Sequence, residues 1–480
     1  MSFYCEEFPY LPDAASYYAA IADLPRAVWL DSCGMARFDI LTAMPHRTLV
    51  LDDAAACDDP FALIRRELGE RISPVENVPF AGGALGYWSY DLARSMMSLP
   101  NGHGKDARSL SSTLSRFASE GANESLREFY THNAQDAEHL PQMVIGIYDW
   151  ALVLDHQQRT ARLVSHQRYA ETGVLLVQIL QRLQGRIAPP ADTFHVKSRI
   201  RSNFTKASYA AAFAKVQGYL QAGDCYQVNL AQRFSADATG DAMSAYLKLR
   251  TLSPAPYSAY LNYPEVQILC ASPERFISVH NGLVETKPIK GTRPRDSDPL
   301  HDRQLADELS MHPKDRAENL MIVDLLRNDL GKSCIPGSVR VPKLFEVESY
   351  ANVHHLVSTV QGELAAGLDA LDLLRGCFPG GSITGAPKLR AMQIIEELEP
   401  IRRGLYCGAI GYVGFDGNMD SNIVIRTLVY SSGEIRCWAG GGLVADSQCD
   451  AEYQETLDKA SAMLELLRLY GGEDEKTRVT

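Results

Sequence analysis

The chain has 480 residues, 46% of them hydrophobic, enough to bury a large core in two or three ordinary domains or one intertwined unit. Its 47 basic and 59 acidic residues leave a net charge of -12, which excludes a general nucleic-acid or anionic-membrane surface, so an anionic substrate would need local cations to hold it. Met1 to Glu7 show no basic stretch leading into an apolar core, and no apolar run approaches the ~20 residues that span a bilayer, so the expected location is the cytoplasm.

Ten cysteines without a Cys-x-x-Cys pair suggest neither a disulfide framework nor a zinc site. A helix is expected over Pro60 to Gly69, followed by Phe80 to Trp88, whose Gly82, Gly83 and Gly86 point to close backbone packing. Residues 97–140 turn polar and read as an insertion with a helix around Leu110 to Phe117. Strand patterns resume at Met143 to Trp150 and Leu152 to Val164, then a helix at Gly173 to Gln184 and a polar linker near 186–203. From Ser208 onward, strands at Gln227 to Phe234, Glu265 to Leu269 and Ile423 to Tyr430 alternate irregularly with helices at 314–330, 387–398 and 451–469. A long βαβ period is missing, which favours an α+β fold with antiparallel sheets over a doubly wound one.

Glu285 to Arg295 reads Glu-Thr-Lys-Pro-Ile-Lys-Gly-Thr-Arg-Pro-Arg, a turn punctuated by Pro and Gly that aims the Lys290 amine. Taken alone, such a lysine is a solvated surface charge. Ser272-Pro273-Glu274-Arg275 ends a strand run, and Glu274 there is either a partner of Arg275 or an acid. Glu318 lies on one expected helix, and spacings of three and four put Glu452, Glu455 and Lys459 on one face of another. Spacing alone makes these solvated helix faces. Phe378 to Lys388 is no phosphate-binding P-loop, because Gly385 is followed by Ala386-Pro387. With Pro387 at the first helical position and the Ser382 and Thr384 hydroxyls before it, the segment is a carboxylate site or simply a tight helix entry. Arg426 interrupts an apolar strand run, so its charge needs a partner or a ligand. His355, Tyr406 and Gly440 to Gly442 fit packing as well as ligand contact.

Together, Ser272 to Arg275, Pro288-Ile289-Lys290-Gly291-Thr292, His354 to Ser358, Gly380 to Lys388 and Gly440 to Gly442 resemble the chorismate-utilising enzymes. The Pro-Ile-Lys-Gly-Thr version is similar to the branch that forms aminodeoxychorismate on the way to 4-aminobenzoate and folate. The resemblance implies an α+β fold of two large antiparallel sheets packed as a sandwich with helices outside. It implies an N-terminal anthranilate-synthase-like region over 1–160, a chorismate-binding catalytic region over 204–466 and a polar tail over 467–480. By it, Glu274 protonates the departing C4 hydroxyl of chorismate and Lys290 attacks C2, after which ammonia attacks C4 and expels the lysine. Glu318 and Glu455 become ligands for Mg²⁺, with Glu452 a weaker candidate, because that ion takes hard oxygens and shares a substrate carboxylate. Lys459 and Arg426 face substrate carboxylates, His355 and Ser382 lie beside the ring, and Tyr406 and Gly441 lie at the pyruvyl end.

Water-adding members carry a lysine base where this chain has Gln227, and an amide is no general base, so amination is favoured. Lys290 stands where anthranilate synthase component I usually carries alanine, which makes that enzyme the alternative. A lysine nucleophile needs a lowered pKa, which Lys287, Arg293 or Arg295 would assist. No Gly-x-Cys-x-Gly elbow is evident, so ammonia is expected from a separate glutamine amidotransferase subunit, component II. Leu30-Asp31-Ser32, Met35-Ala36-Arg37-Phe38 and Pro256-Tyr257-Ser258 resemble a tryptophan site, with ordinary sheet packing as the plain reading. A catalytically inactive binding homologue is the non-enzyme alternative, and the joint presence of Glu274, Lys290, Glu318 and Glu455 speaks against it.

Overall fold

The computed structural model describes residues 3–54, 57, 59–96, 135–185, 192–350 and 353–471. The helix expected around Leu110 to Phe117 and residues 472–480 of the tail lie outside the described residues. All pairings between the named strands are antiparallel, and they build two large sheets. The first runs from Tyr4–Phe8 through Thr160–Ser165, Ala151–Asp155, Phe38–Thr42, Ala27–Asp31, Tyr257–Asn262, Gln267–Ser272, Thr427–Ser431, Glu434–Leu443 and Gln227–Thr239 to Arg201–Ser202. The second runs from Ile289–Pro294 through Val353–Glu363, Leu283–Thr286, Arg275–His280, Met419–Ile423, Ala409–Gly414, Gly83–Trp88 and Met143–Tyr148 to Arg47–Leu51. Strands from both halves of the chain therefore share both sheets.

The strands explain their own composition. Ile268 and Cys270 enter the core between the sheets, while Leu269 and Ala271 enter a second core on the outer face of the first sheet. Alternate side chains point to opposite faces, so a strand covered on both sides reads as a continuous apolar run. The outer core is closed by the helices Thr172–Gln184, Met243–Leu252 and Cys449–Leu469, which contribute Ile179, Leu249 and Met463. The result is an α+β sandwich with helices outside. Gly86 is needed where the second sheet is tightest, since a Cβ there would stand 2.0 Å from the Val144 carbonyl oxygen.

Three expected elements take a different form. Leu152 to Val164 is a hairpin, Ala151–Asp155 and Thr160–Ser165, turned at the intervening residues. The strand expected at Gln227 to Phe234 continues to Thr239. Ile423 to Tyr430 is two strands in different sheets, Met419–Ile423 in the second and Thr427–Ser431 in the first. The crossing puts Arg426 at a φ of 54°, a left-handed conformation rare for a residue with a Cβ. Apolar residues on both sides of Arg426 hide such a change of sheet, because both strands are buried on both faces.

Candidate active site

The chemistry-bearing residues gather around one short turn. Gly381–Ile383 forms a single 3-10 turn after the helix Ala370–Cys377, and Ser382 in it is buried. The Ser382 hydroxyl donates to Glu274 Oε1 at 2.8 Å, and the Ser382 carbonyl accepts from Lys290 Nζ at 3.3 Å. Glu274 stands between the strands Gln267–Ser272 and Arg275–His280, and Ile423 donates its backbone N-H to the Glu274 carbonyl. Lys290 reaches in from the edge strand Ile289–Pro294.

Environment pushes the two groups in opposite directions. Burial raises the Glu274 carboxyl above its ordinary range, against the Lys290 charge, the Ser382 hydrogen bond and Lys459. Burial, joined by the Lys459 ammonium, lowers the Lys290 amine against the attraction of Glu274, Glu318 and Glu455. Burial thus favours a protonated carboxyl at Glu274 and an uncharged amine at Lys290, the forms that leaving-group protonation and nucleophilic attack need. The cation acting on Lys290 is not one of those expected from its own turn. Lys287 is bound to Glu348 at 2.5 Å, Arg293 to Glu308 at 3.1 Å and Arg295 to Asp302 at 2.8 Å. Each is held by a neighbouring carboxylate, and the cation that lowers Lys290 is Lys459, itself paired with Glu455 and about 170 positions away in sequence.

Glu318 on the helix Pro313–Gly331 and Glu455 on the helix Cys449–Leu469 form an acidic pair in which the Glu455 charge acts on Glu318. Burial raises Glu318 against the Lys290 and Lys314 charges. Burial also works on Glu455, yet Lys459, 2.6 Å from its Oε1, helps hold that carboxyl below its ordinary range. Glu452 is buried and accepts from the Ser447 hydroxyl at 2.6 Å, which gives it a structural partner of its own. Among the described residues no group of three or more His, Cys, Asp or Glu is arranged to hold a metal by itself. Two carboxylates on separate helices suit a Mg²⁺ that keeps waters and shares a substrate oxygen. Sequence reasoning overlooked Lys314, whose Nζ lies 3.9 Å from Glu318 Oε1; the i,i+4 spacing was its signal.

The remaining candidates form the neighbouring wall. Arg426 Nη1 donates to the Lys459 carbonyl at 2.6 Å, and Lys459 Nζ donates to the Gly440 carbonyl at 3.0 Å. A Cβ on Gly441 would lie 3.0 Å from Glu452 Oε2, so the strand comes flush against the acidic helix only without a side chain there. Tyr406 is buried and stacked on Trp438 with ring centroids 6.1 Å apart. His355 pairs its Nδ1 with the Thr292 hydroxyl at 2.9 Å. Burial and the Arg426 charge lower it to about 4, so it is a neutral hydrogen-bonding group at pH 7.

The helix entry at Pro387 differs from expectation. Pro387 caps the helix Lys388–Leu398 from an extended conformation, φ -63° and ψ 140°, instead of occupying its first turn. The Thr384 hydroxyl donates to the Gly380 carbonyl at 3.0 Å, Ser382 is committed to Glu274, and Lys388 bonds Asp329 at 2.7 Å. With its hydroxyls engaged internally, this segment acts as a support for Glu274 and Lys290. A second group that sequence reasoning missed lies behind it: Glu399 and Arg403, buried and paired at 2.6 Å at i,i+4 spacing.

The residues resembling a tryptophan site fall at a different place, between the sheets. A cavity of about 690 Å³ there is lined by Asp31, Ala36, Arg37, Phe38, Pro256, Tyr257 and Ser258 among others, while Ser32 and Met35 do not line it. Ser32 instead donates its hydroxyl to Asp39 at 2.6 Å.

A sandwich of two antiparallel sheets with a buried carboxyl and a lysine joined through one serine, beside an acidic pair, defines a class, and residues 117–465 match the family model described as chorismate binding enzyme. The chain belongs to that family. It is 46% identical to the aminodeoxychorismate synthase component 1 of Klebsiella aerogenes, over 96% of this chain and 98% of that protein. It is 45% identical to the protein of the same name from Escherichia coli strain K12, over 95% of this chain and 96% of that one. Among solved structures, anthranilate synthase component I from Streptococcus pneumoniae TIGR4 superposes with a TM-score of 0.74 at 32% identity, covering 89% of this chain and 92% of that chain.

Proposed function

We propose that the chain converts chorismate and ammonia to 4-amino-4-deoxychorismate, working in the cytoplasm beside a glutamine amidotransferase subunit, component II, that releases the ammonia from glutamine. The observation that carries this reading is the attachment of Lys290 and Glu274 to the two polar atoms of one residue, Ser382. The neutral Lys290 amine forms a bond to C2 as the two conjugated ring double bonds each shift by one position and the C4–O bond breaks. Glu274 gives its proton to the departing oxygen, which leaves as water. Ammonia then bonds to C4, both double bonds shift back, and the C2–N bond to Lys290 breaks, returning the lysine. Proton transfer from the new ammonium restores Glu274. Lys459 and Arg426 supply the positive charge that a dianion requires in a protein of net charge -12. The near full-length relatives named aminodeoxychorismate synthase component 1 support C4 over C2 as the aminated carbon.

The test is to incubate the chain with chorismate, Mg²⁺ and ammonium and to identify the product by mass and chromatography. Aminodeoxychorismate is expected, with glutamine replacing ammonium only when a component II is added. Anthranilate or isochorismate as the main product would overturn the assignment.

Glu318 and Glu455 would hold the Mg²⁺, which when bound neutralises a carboxylate of the substrate. Glu318→Gln and Glu455→Gln are each expected to abolish binding of Mn²⁺, used as a spin-active stand-in, while leaving the unfolding midpoint near that of the unmodified chain. Undiminished Mn²⁺ binding by both variants would remove these residues from the metal site.

The cavity beside Arg37 and Tyr257 is large enough for an amino acid with an aromatic ring, and we assign it to tryptophan. Ligand that binds only the folded chain stabilises it by RT ln(1 + L/Kd) at free ligand concentration L, so its melting temperature keeps rising with the logarithm of ligand concentration above Kd. Such a concentration-dependent rise is expected with tryptophan and none with alanine; a flat response to millimolar tryptophan would leave the cavity to packing.

A further inference from the structure

We infer that Arg403 is a positioning residue that holds the Ser382 turn, and through it sets Lys290 and Glu274 at one spacing. The inference rests on the reaction proposed above. Arg403 is 1% exposed and lies on no helix or strand, in the loop that follows the helix Lys388–Leu398. Its guanidinium makes four kinds of contact at once. Nε and Nη2 bind the Glu399 carboxylate at 2.9 and 2.6 Å, Nη1 donates to the Ile383 carbonyl at 2.9 Å, and Nη2 donates to the Asn229 carbonyl at 2.7 Å. The aromatic faces of Tyr90 and Tyr406 flank it at 5.0 and 5.6 Å. Glu399 in turn accepts the Ala231 backbone N-H at 2.9 Å.

The placement of these contacts is what gives them a catalytic consequence. Ile383 is the residue after Ser382, so the carbonyl that Arg403 grips closes the peptide next to the one that receives Lys290. Asn229 and Ala231 belong to the long strand Gln227–Thr239, which pairs with Glu434–Leu443 and thus with Gly440, the acceptor of Lys459. One guanidinium therefore ties the turn, to which both reacting groups are hydrogen-bonded, to the sheet that fixes the Lys459 cation. A buried ion pair is no strong source of net stability, because desolvation offsets most of its attraction. What a planar fork with five fixed N-H donors provides is geometry, and an ammonium cannot reach two carbonyls and both carboxylate oxygens from one point.

The experiment measures chorismate consumption in Arg403→Lys, in Ser382→Ala and in the double variant. Arg403→Lys keeps the charge opposite Glu399 and is expected to lose about 10²-fold in kcat, the scale of a misplacement of about 1 Å, with KM for chorismate changed much less. In the Ser382→Ala background the same change is expected to cost less than about tenfold, since the turn's hold on Glu274 is already gone. Equal losses in both backgrounds, or a folded Arg403→Lys with kcat within about twofold of the unmodified chain, would overturn the proposal. If Arg403→Lys does not fold, the neutral pair Glu399→Gln/Arg403→Met removes both charges together and is held to the same expectation. If the unmodified chain forms a product other than aminodeoxychorismate, the reaction assignment fails while the comparison of rates stands. If it consumes no chorismate, competitive labelling of the Lys290 amine against pH replaces the rate: its titration midpoint moves in Arg403→Lys when the turn is held by Arg403, and an unmoved midpoint rejects that role.

Discussion

Lys290→Ala is expected to lower the rate of aminodeoxychorismate formation by about 10³-fold or more, the scale on which a covalent nucleophile acts, or about 4 kcal/mol of transition-state stabilisation. Binding of chorismate should survive, because Glu318, Glu455, Lys459 and Arg426 lie on other elements. Loss confined to kcat separates this outcome from removal of one solvated charge, whose effect would be small. An amine-linked adduct of substrate on Lys290, found by mass analysis of acid-quenched enzyme, would identify the covalent route. An alanine variant at the original rate would return Lys290 to a turn residue without a role.

Glu274→Gln is expected to cost about 10²- to 10⁴-fold in kcat, the range of general acid catalysis, because an amide has no proton to give to the departing hydroxyl. The pH profile gives a sharper test. The proposed reaction needs one proton on the pair, carried by the carboxyl, and burial, which raises Glu274 and lowers Lys290, favours that form. A second proton converts Lys290 to its ammonium and stops attack, which makes the acid limb. Loss of the last proton leaves no acid, which makes the alkaline limb. In Glu274→Gln only the lysine still titrates, so the residual rate should rise with pH and then level off. In Lys290→Ala only the carboxyl remains, so the residual rate should fall as pH rises. Profiles that keep both limbs in both variants would show that other groups carry the protons.

Much of the site was legible before the fold was known, because its residue types sit in unusual company. A glutamate after Ser-Pro at a strand end, a lysine between Pro-Ile and Gly-Thr, and carboxylates at helical spacing are local features that survive without coordinates. What could not be read was which of several lysines and arginines acts on Lys290. Cations three and five positions away in the same turn looked suitable, yet each has a nearer carboxylate, and the effective neighbour is Lys459. Charge falls off with distance in space, not in sequence.

The sequence by itself determined the class of fold and, through the resemblance its motifs carry together, singled out Glu274, Lys290, Glu318 and Glu455, each of which alone reads as a solvated residue or an ion-pair partner. The tertiary structure alone decided the partners. Within Ile423 to Tyr430 the sequence marked Arg426 only as a charge in need of a partner, and only the sheets reveal that the chain changes layer there, where its side chain meets the Lys459 carbonyl. Arg403 and Glu399 were missed in the sequence, and their place is defined only by Ile383, Asn229 and Ala231 around them. The physical reason is the same in both cases. Periodicity records which face of an element is buried, whereas a buried polar group is defined by the hydrogen bonds that compensate its loss of water, and those come from segments tens to hundreds of residues away.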